Sequence, residues 1–147
     1  NTNGNNMYAT DNESDVYQLG NRNDARVWQN GDDNMSDIDQ LGNDNYARHY
    51  QGQDENIAKT MQDGNGNTSV IEQDDPNTLD IYNEAYTNQT GNDNRSYVYQ
   101  TGEYNDSFVD QTGDDNYAKH TQDGNNHIAD TDQVGNGNSS IITQANL

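Results

Sequence analysis

Gln40-Leu-Gly-Asn-Asp-Asn-Tyr-Ala-Arg-His-Tyr-Gln51 returns almost unchanged as Gln111-Thr-Gly-Asp-Asp-Asn-Tyr-Ala-Lys-His-Thr-Gln122. Both are copies of a shorter unit, Gln-x-Gly-x-x-Asn-x-(Ala/Ser)-x-x-x-Gln, that tiles most of the chain. Its glutamines are Gln18, Gln29, Gln40, Gln51, Gln62, Gln73, Gln89, Gln100, Gln111, Gln122, Gln133 and Gln144. The step is 11 residues except between Gln73 and Gln89, where it is 16. A fixed short period marks a stacked or solenoidal architecture, in which each unit packs on its neighbours.

Read from Asn to Gln, the units form twelve seven-residue segments: 12–18, 23–29, 34–40, 45–51, 56–62, 67–73, 83–89, 94–100, 105–111, 116–122, 127–133 and 138–144. Eleven begin with Asn: Asn12, Asn23, Asn34, Asn45, Asn56, Asn67, Asn83, Asn94, Asn105, Asn116 and Asn138, with His127 the exception. The third position is always Ala or Ser, and the fifth is Val, Ile, Thr or His. These special positions alternate, so they share one face of a β-strand; a helix needs spacings of three and four. The inward set is therefore Asn, Ala or Ser, a fifth residue of Val, Ile, Thr or His, and Gln. Gly20, Gly31, Gly42, Gly64, Gly91, Gly102, Gly113, Gly124 and Gly135 recur second in the intervening turns. Gly there suits a tight reversal with positive φ among Asn and Asp.

The expected fold is all-β: a cross-β solenoid of six two-strand, 22-residue coils. Each strand pairs in parallel with its equivalent two segments on, at about 4.8 Å, giving a rod roughly 29 Å long. Identical residues then stack, and Gln and Asn amides form hydrogen-bonded ladders along the axis. A ladder satisfies buried amides repeatedly, which makes a polar interior tolerable.

Residues 1–11 carry no register and read as a flexible leader; 12–147 is the solenoid. The long step between Gln73 and Gln89 places five extra residues in a turn near 74–82, where Pro76 cannot donate to a ladder. The expectation is a bulging loop within one solenoid, the alternative being a hinge between two three-coil domains. The chain begins at Asn1 rather than Met, which fits either a mature product or a cloned fragment.

Composition bounds the function. Only 27% of residues are hydrophobic and the net charge is −20, which without the repeat would read as disorder. The acidity argues against nucleic acid, which needs clustered Lys or Arg. No apolar run is long enough for membrane insertion as a helix. With no Cys there are neither disulfides nor thiolate metal sites. Nucleophile–base spacings, metal-ligand His clusters and phosphate-binding Gly loops are missing, so an enzyme is not expected. Stacked turn carboxylates (Asp32, Asp33, Asp54, Glu55, Asp74, Asp75, Glu103 and Asp123) invite salt or weak, non-specific Ca²⁺. No dedicated Ca²⁺ loop motif is present, and no cofactor is expected.

The outward positions divide by charge. Odd segments carry Glu13, Asp15, Asp37, Asp39, Glu84, Asp106, Asp110, Asp130 and Asp132 against Lys59. Even segments carry Arg26, Arg48, Arg95 and Lys119 with Trp28, Tyr46, Tyr50, Tyr97, Tyr99 and Tyr117, against Asp24 and Glu72. This is either a solvated surface with Arg packed on Tyr, or a lateral face that bundles filaments. His49 and His120 sit at equivalent inward places, either filling a partly polar core or forming a pH switch.

The pattern resembles the curlin repeat of curli, the extracellular amyloid fibres of bacterial biofilms. That family's hallmark is Ser-x5-Gln, a Gly-rich turn and Asn-x5-Gln; here Asn-x5-Gln occurs eleven times, as at Asn45/Gln51 and Asn116/Gln122, with turns such as Gln100-Thr-Gly102. The resemblance covers about residues 12–147. It implies a secreted protein that stacks end to end into homopolymeric matrix fibres, with nucleator and secretion proteins as further partners. Asn replaces the family's Ser in alternate strands and the acidity is high, leaving both the major and the nucleating subunit open. The alternative is a monomeric, secreted, calcium-responsive adhesion module. Against it, open strand edges without a capping helix favour a filament.

Overall fold

The computed structural model describes residues 11–74 and 81–146. Residues 1–10 of the expected leader, and residues 75–80 of the inserted turn with Asp75 and Pro76, lie outside the described residues. The twelve strands are β1 (Glu13–Leu19), β2 (Asp24–Asn30), β3 (Met35–Asn43), β4 (Tyr46–Gly52), β5 (Ile57–Asn65), β6 (Thr68–Gln73), β7 (Glu84–Thr90), β8 (Arg95–Thr101), β9 (Asp106–Thr112), β10 (Tyr117–Asp123), β11 (Ile128–Val134) and β12 (Ser139–Ala145). Among the described residues there is no helix.

Odd strands form one six-stranded parallel sheet, β1-β3-β5-β7-β9-β11, and even strands the other, β2-β4-β6-β8-β10-β12. The fold is a β-solenoid of six coils. Equivalent residues pair: Gln18 with Gln40, Gln29 with Gln51, Gln111 with Gln133. The register passes the long turn intact, since Gln62 pairs with Gln89 and Gln73 with Gln100. A one-residue slip would turn every inward side chain out, so the alternation itself pins the pairing.

The strands start one residue after the segments' Asn and most run one past the Gln. The Asn closes the turn instead, and its predecessor is left-handed even where it is not Gly, as at Arg22 (φ 56°), Asp44 (φ 58°) and Tyr104 (φ 57°). Stacking constrains the turn Gly more than its own φ does. A Cβ on Gly42 (φ 108°) would overlap the carbonyl oxygen of Gly64 in the next coil.

The interior is one side chain thick from each sheet. The third residue of a strand segment faces the fifth of the opposite sheet, as the bonds Ser36–His49 (2.8 Å) and Thr60–Ser69 (2.9 Å) establish. A small third residue is thus required by a bulky fifth one. Ala58, Ile71, Ala85, Val98, Val109 and Ala118 make one buried apolar cluster, and Val27, Ile38 and Ala47 another. Five polar fifth residues (His49, Thr60, Thr87, His120 and Thr131) each bond a Ser across the interior. No hydroxyl or imidazole in these pairs is left to face Val or Ile alone.

Candidate assembly surfaces: the ends and the outer faces

The glutamines form two continuous ladders, one per sheet. Each Nε2 donates to the Oε1 of the Gln in the next coil, at 2.6–3.2 Å over ten links. Eleven of the glutamines also donate Nε2 to a backbone carbonyl across the interior, as Gln62 does to Tyr46 (3.0 Å) and Gln122 to Asp106 (2.8 Å). The Gln amides therefore clasp the coil to its neighbour and the two sheets to each other. Gln40, Gln51, Gln62, Gln73, Gln89, Gln100, Gln111 and Gln122 are fully buried.

The Asn side chains act differently from a plain amide ladder. The Oδ1 of one Asn accepts the backbone N–H of the Asn in the next coil, as Asn34 Oδ1 does from Asn56 (3.0 Å) and Asn45 Oδ1 from Asn67 (3.0 Å). Nδ2 reaches a turn carbonyl: Asn23 to Gly42, Asn45 to Gly64, Asn94 to Gly113, Asn116 to Gly135. Side-chain to side-chain links are added at Asn83, Asn94, Asn105, Asn116 and Asn138. Asn thus satisfies turn backbone that has no strand partner. At His127 the backbone N–H still reaches Asn105 Oδ1 (3.1 Å), while the ring meets Asn146 (2.9 Å).

A third ladder escaped the sequence reading. The residue after the turn Gly in odd turns stacks through Asn21, Asn43, Asn65, Asn92 and Asp114 to Asn136, each backbone N–H donating to the next Oδ1 at 2.8–3.1 Å. The signal was present: every odd turn reads Gly-(Asn/Asp)-x-Asn.

These ladders have a direction. At the β11/β12 end, Gln133 and Gln144 donate Nε2 only to the carbonyls of Tyr117 and Ile128, so one amide hydrogen of each has no acceptor among the described residues. At the β1/β2 end, no described donor reaches Oε1 of Gln18 or Gln29, which both donate inward to Gln40 and Gln51. One end offers N–H, the other offers oxygen.

On the even sheet, Trp28 stacks on Tyr50 with ring centroids 6.2 Å apart, and Tyr97 lies tilted against Tyr117 at 5.9 Å. Arg26 pairs with Asp24 and sits 5.6 Å over Tyr46, Arg48 pairs with Glu72, and Lys119 lies 5.4 Å over Tyr99. Arg95 faces Thr68 and Tyr117 in the strand register. The odd sheet carries its carboxylates as read, but also a stripe the charge count passed over: Tyr86 stacks on Phe108 at 5.5 Å beside exposed Met61. Met61, Tyr86 and Phe108 fall on outward strand positions, so alternation alone would have found them. Lys59 lies 5.8 Å over Tyr86.

His49 and His120 are fully enclosed. His49 Nδ1 meets Ser36 Oγ and its Nε2 meets Thr60 Oγ1, both at 2.8 Å; His120 repeats this with Ser107 and Thr131. Burial pushes His49 down to about 3 and lowers His120 as well, the latter opposed by Asp130. Both imidazoles are neutral at neutral pH.

Four regions, residues 9–42, 77–113, 91–119 and 113–145, match the family model of the curlin associated repeat, together well over half of the chain. No curated protein and no solved structure matches the chain. With the 22-residue coils, stacked Gln and Gly and paired parallel sheets in place, the chain belongs to the curlin-repeat family, which is structural and non-enzymatic.

Proposed function

We propose that this protein is a self-assembling structural subunit of extracellular, curli-like amyloid fibres in a biofilm matrix, adding head to tail through its two ends. The observation that carries the reading is the complementarity of those ends. A second copy placed one coil beyond β12 sets its β1 against β11 and its β2 against β12 in the register used throughout. The open amide hydrogens of Gln133 and Gln144 then meet the open oxygens of Gln18 and Gln29. Ile142 falls opposite Val27 and Val134 opposite Leu19, the last two being exposed in the single chain or at its edge. Joining like ends would set oxygen against oxygen, or N–H against N–H, and would make the junction antiparallel.

Unpaired strand edges template further pairing unless blocked, and none of the described residues covers β1, β2, β11 or β12. Membership in the curlin-repeat family supports the extracellular setting. The same register sets Asp130 opposite Asp15, a repulsion that salt screens.

The test is dilution of the full chain from denaturant into buffer of varied ionic strength, followed by electron microscopy and fibre diffraction. Unbranched filaments with a meridional repeat of about 4.8 Å are expected. Folded particles that stay monomeric at high concentration overturn the reading and leave a soluble acidic binding module in its place.

A further inference from the structure

The outer side of the odd sheet is acidic by count, yet its middle holds a groove of about 320 Å³. Its floor is apolar, made by Met61, Tyr86 and Phe108, of which Met61 is 50% and Phe108 39% exposed. Aspartates rim it on both sides along the rod: Asp37 and Asp39 toward β3, Asp110 and Asp130 toward β9 and β11. Lys59 is its lone cation. The Asp37 carboxyl is pushed up, first by burial and then by Asp39, against the pull of Lys59. The groove is short of positive charge.

The opposite side of the rod carries Arg26, Arg48, Arg95 and Lys119 against Asp24 and Glu72. Arg26 and Arg48 flank Trp28 and Tyr50 around a smaller depression of about 260 Å³. Trp28 is 52% exposed. Arg26 engages Asp24 through Nε and Nη2, so its Nη1 has no partner among the described residues, whereas Arg48 is paired with Glu72. This side carries a free guanidinium donor on Arg26 beside the exposed Trp28 ring, the chemistry that an apolar, carboxylate-rimmed groove accepts.

We propose that the groove of the odd sheet is the lateral docking site for the Trp28–Arg48 patch of a neighbouring copy. The contact joins two different surfaces, so it does not close on itself and propagates from filament to filament. It also sets a stagger. The patch lies in the first and second coils and the groove in the third to fifth, so neighbouring copies are displaced by about 12 Å along the axis at the spacing of β-strands. The displacement is near half a subunit, and the end-to-end joints of one filament therefore lie against the middle of subunits in the next. The proposal names the lateral partner within the fibre reading, on which it rests for the parallel rods.

The chain has no cysteine, so introduced thiols report contacts without background. Full-length Asn88→Cys, in the groove, and Tyr50→Cys, in the patch, are mixed, allowed to assemble, and oxidised. The expected product is a disulfide between positions 50 and 88 of different copies, reduced by added salt and lost when Trp28→Ser is combined with Tyr50→Cys. Disulfides of 50 with 50 or 88 with 88 overturn the proposal, because like surfaces would then meet. In parallel, Phe108→Ser should give about tenfold less bundled material at low-speed pelleting, as expected for a central anchor, while high-speed pelleting shows filaments retained. Filaments that form but never cross-link 50 to 88 sink the docking proposal alone. If no filaments form, the fibre reading fails, and absence of the cross-link between concentrated soluble copies then overturns the docking proposal too.

Discussion

His49 and Ser36 are held 2.8 Å apart across the interior, and 71 residues on His120 and Ser107 repeat the same bond at the same distance. The pairing makes a polar side chain at the fifth position compatible with a dry interior. Each imidazole continues into a hydroxyl chain, His49 to Thr60 to Ser69 and His120 to Thr131 to Ser140. One sheet is therefore tied to the other by polar cross-links set among the Ala and Val contacts.

Acid should weaken the fold through these histidines. An unfolded His protonates near pH 6.5, whereas His49 in the folded chain stays neutral down to about 3. The unfolded chain binds the extra proton between those values, so stability falls as pH drops through that window and is fully present above it. The slope contributed by a fully shifted His is about 1.4 kcal/mol per pH unit. In Ser36→Ala/His49→Val, which removes both partners of the bond, denaturation midpoints should fall less steeply with acid between pH 6.5 and 5 than in the unaltered chain. Parallel curves for the two proteins would show that His49 takes up a proton in place.

The turn glycines divide into two kinds. At Gly42, an added methyl would strike the backbone of the next coil, which cannot move without breaking register. At Gly137 (φ 69°) nothing lies within 4 Å of the added atom. Gly137→Ala should lose about 1 kcal/mol, the strain of a left-handed alanine alone, while Gly42→Ala should lose about 3 kcal/mol or more. Chemical denaturation of the two variants decides this; equal losses would mean that the stacked carbonyl yields.

Alternation and spacing made the sheets, the register and the turn glycines legible, because a period of two and a repeat of 11 leave a single way to stack identical residues. The Ser36–His49 bond was not legible, since it joins positions 13 residues apart whose contact depends on how one turn folds the second sheet over the first. The asparagines were visible as a column but their task was not. Whether Asn45 Oδ1 accepts from another side-chain amide or from the backbone N–H of Asn67 is decided by the strand starting at Tyr46 rather than at Asn45. On the odd face, the abundance of Asp hid Met61, Tyr86 and Phe108, which alternation places outward just as surely.

Ionic strength should stabilise the single rod. Stacking brings like carboxylates into register, Asp15 with Asp37 on one side and Asp37 with Asp39 along the strand, and the net charge is −20. Repulsion between exposed charges is screened over a Debye length of about 8 Å at 0.15 M salt. Denaturation midpoints should therefore rise from low salt to 0.5 M NaCl. Among the described residues no cluster of His, Asp and Glu is arranged to hold a metal ion. Screening of this kind depends on ionic strength rather than on the ion, so Ca²⁺ and Mg²⁺ at matched ionic strength should stabilise equally, and a selective gain with Ca²⁺ would point to a dedicated site.

The Gln ladders separate stability from growth. Gln62 is fully buried, accepts from Gln40, and donates to Gln89 and to the Tyr46 carbonyl. Gln62→Leu strands those partners away from water and should cost about 3 kcal/mol. Gln144 is half-buried at the open end, where Gln122 keeps its bond to the Asp106 carbonyl and water reaches what is freed. Gln144→Leu should cost under about 1 kcal/mol in the isolated chain. If Gln144 carries the junction, however, the same substitution removes the donor aimed at Gln29 of the arriving copy. Elongation from preformed seeds should then slow by about tenfold, the equivalent of one hydrogen bond at a desolvated contact. Unaltered elongation by Gln144→Leu, with Gln62→Leu destabilised as stated, would leave the ladders as internal clasps and remove the argument for a junction built on them.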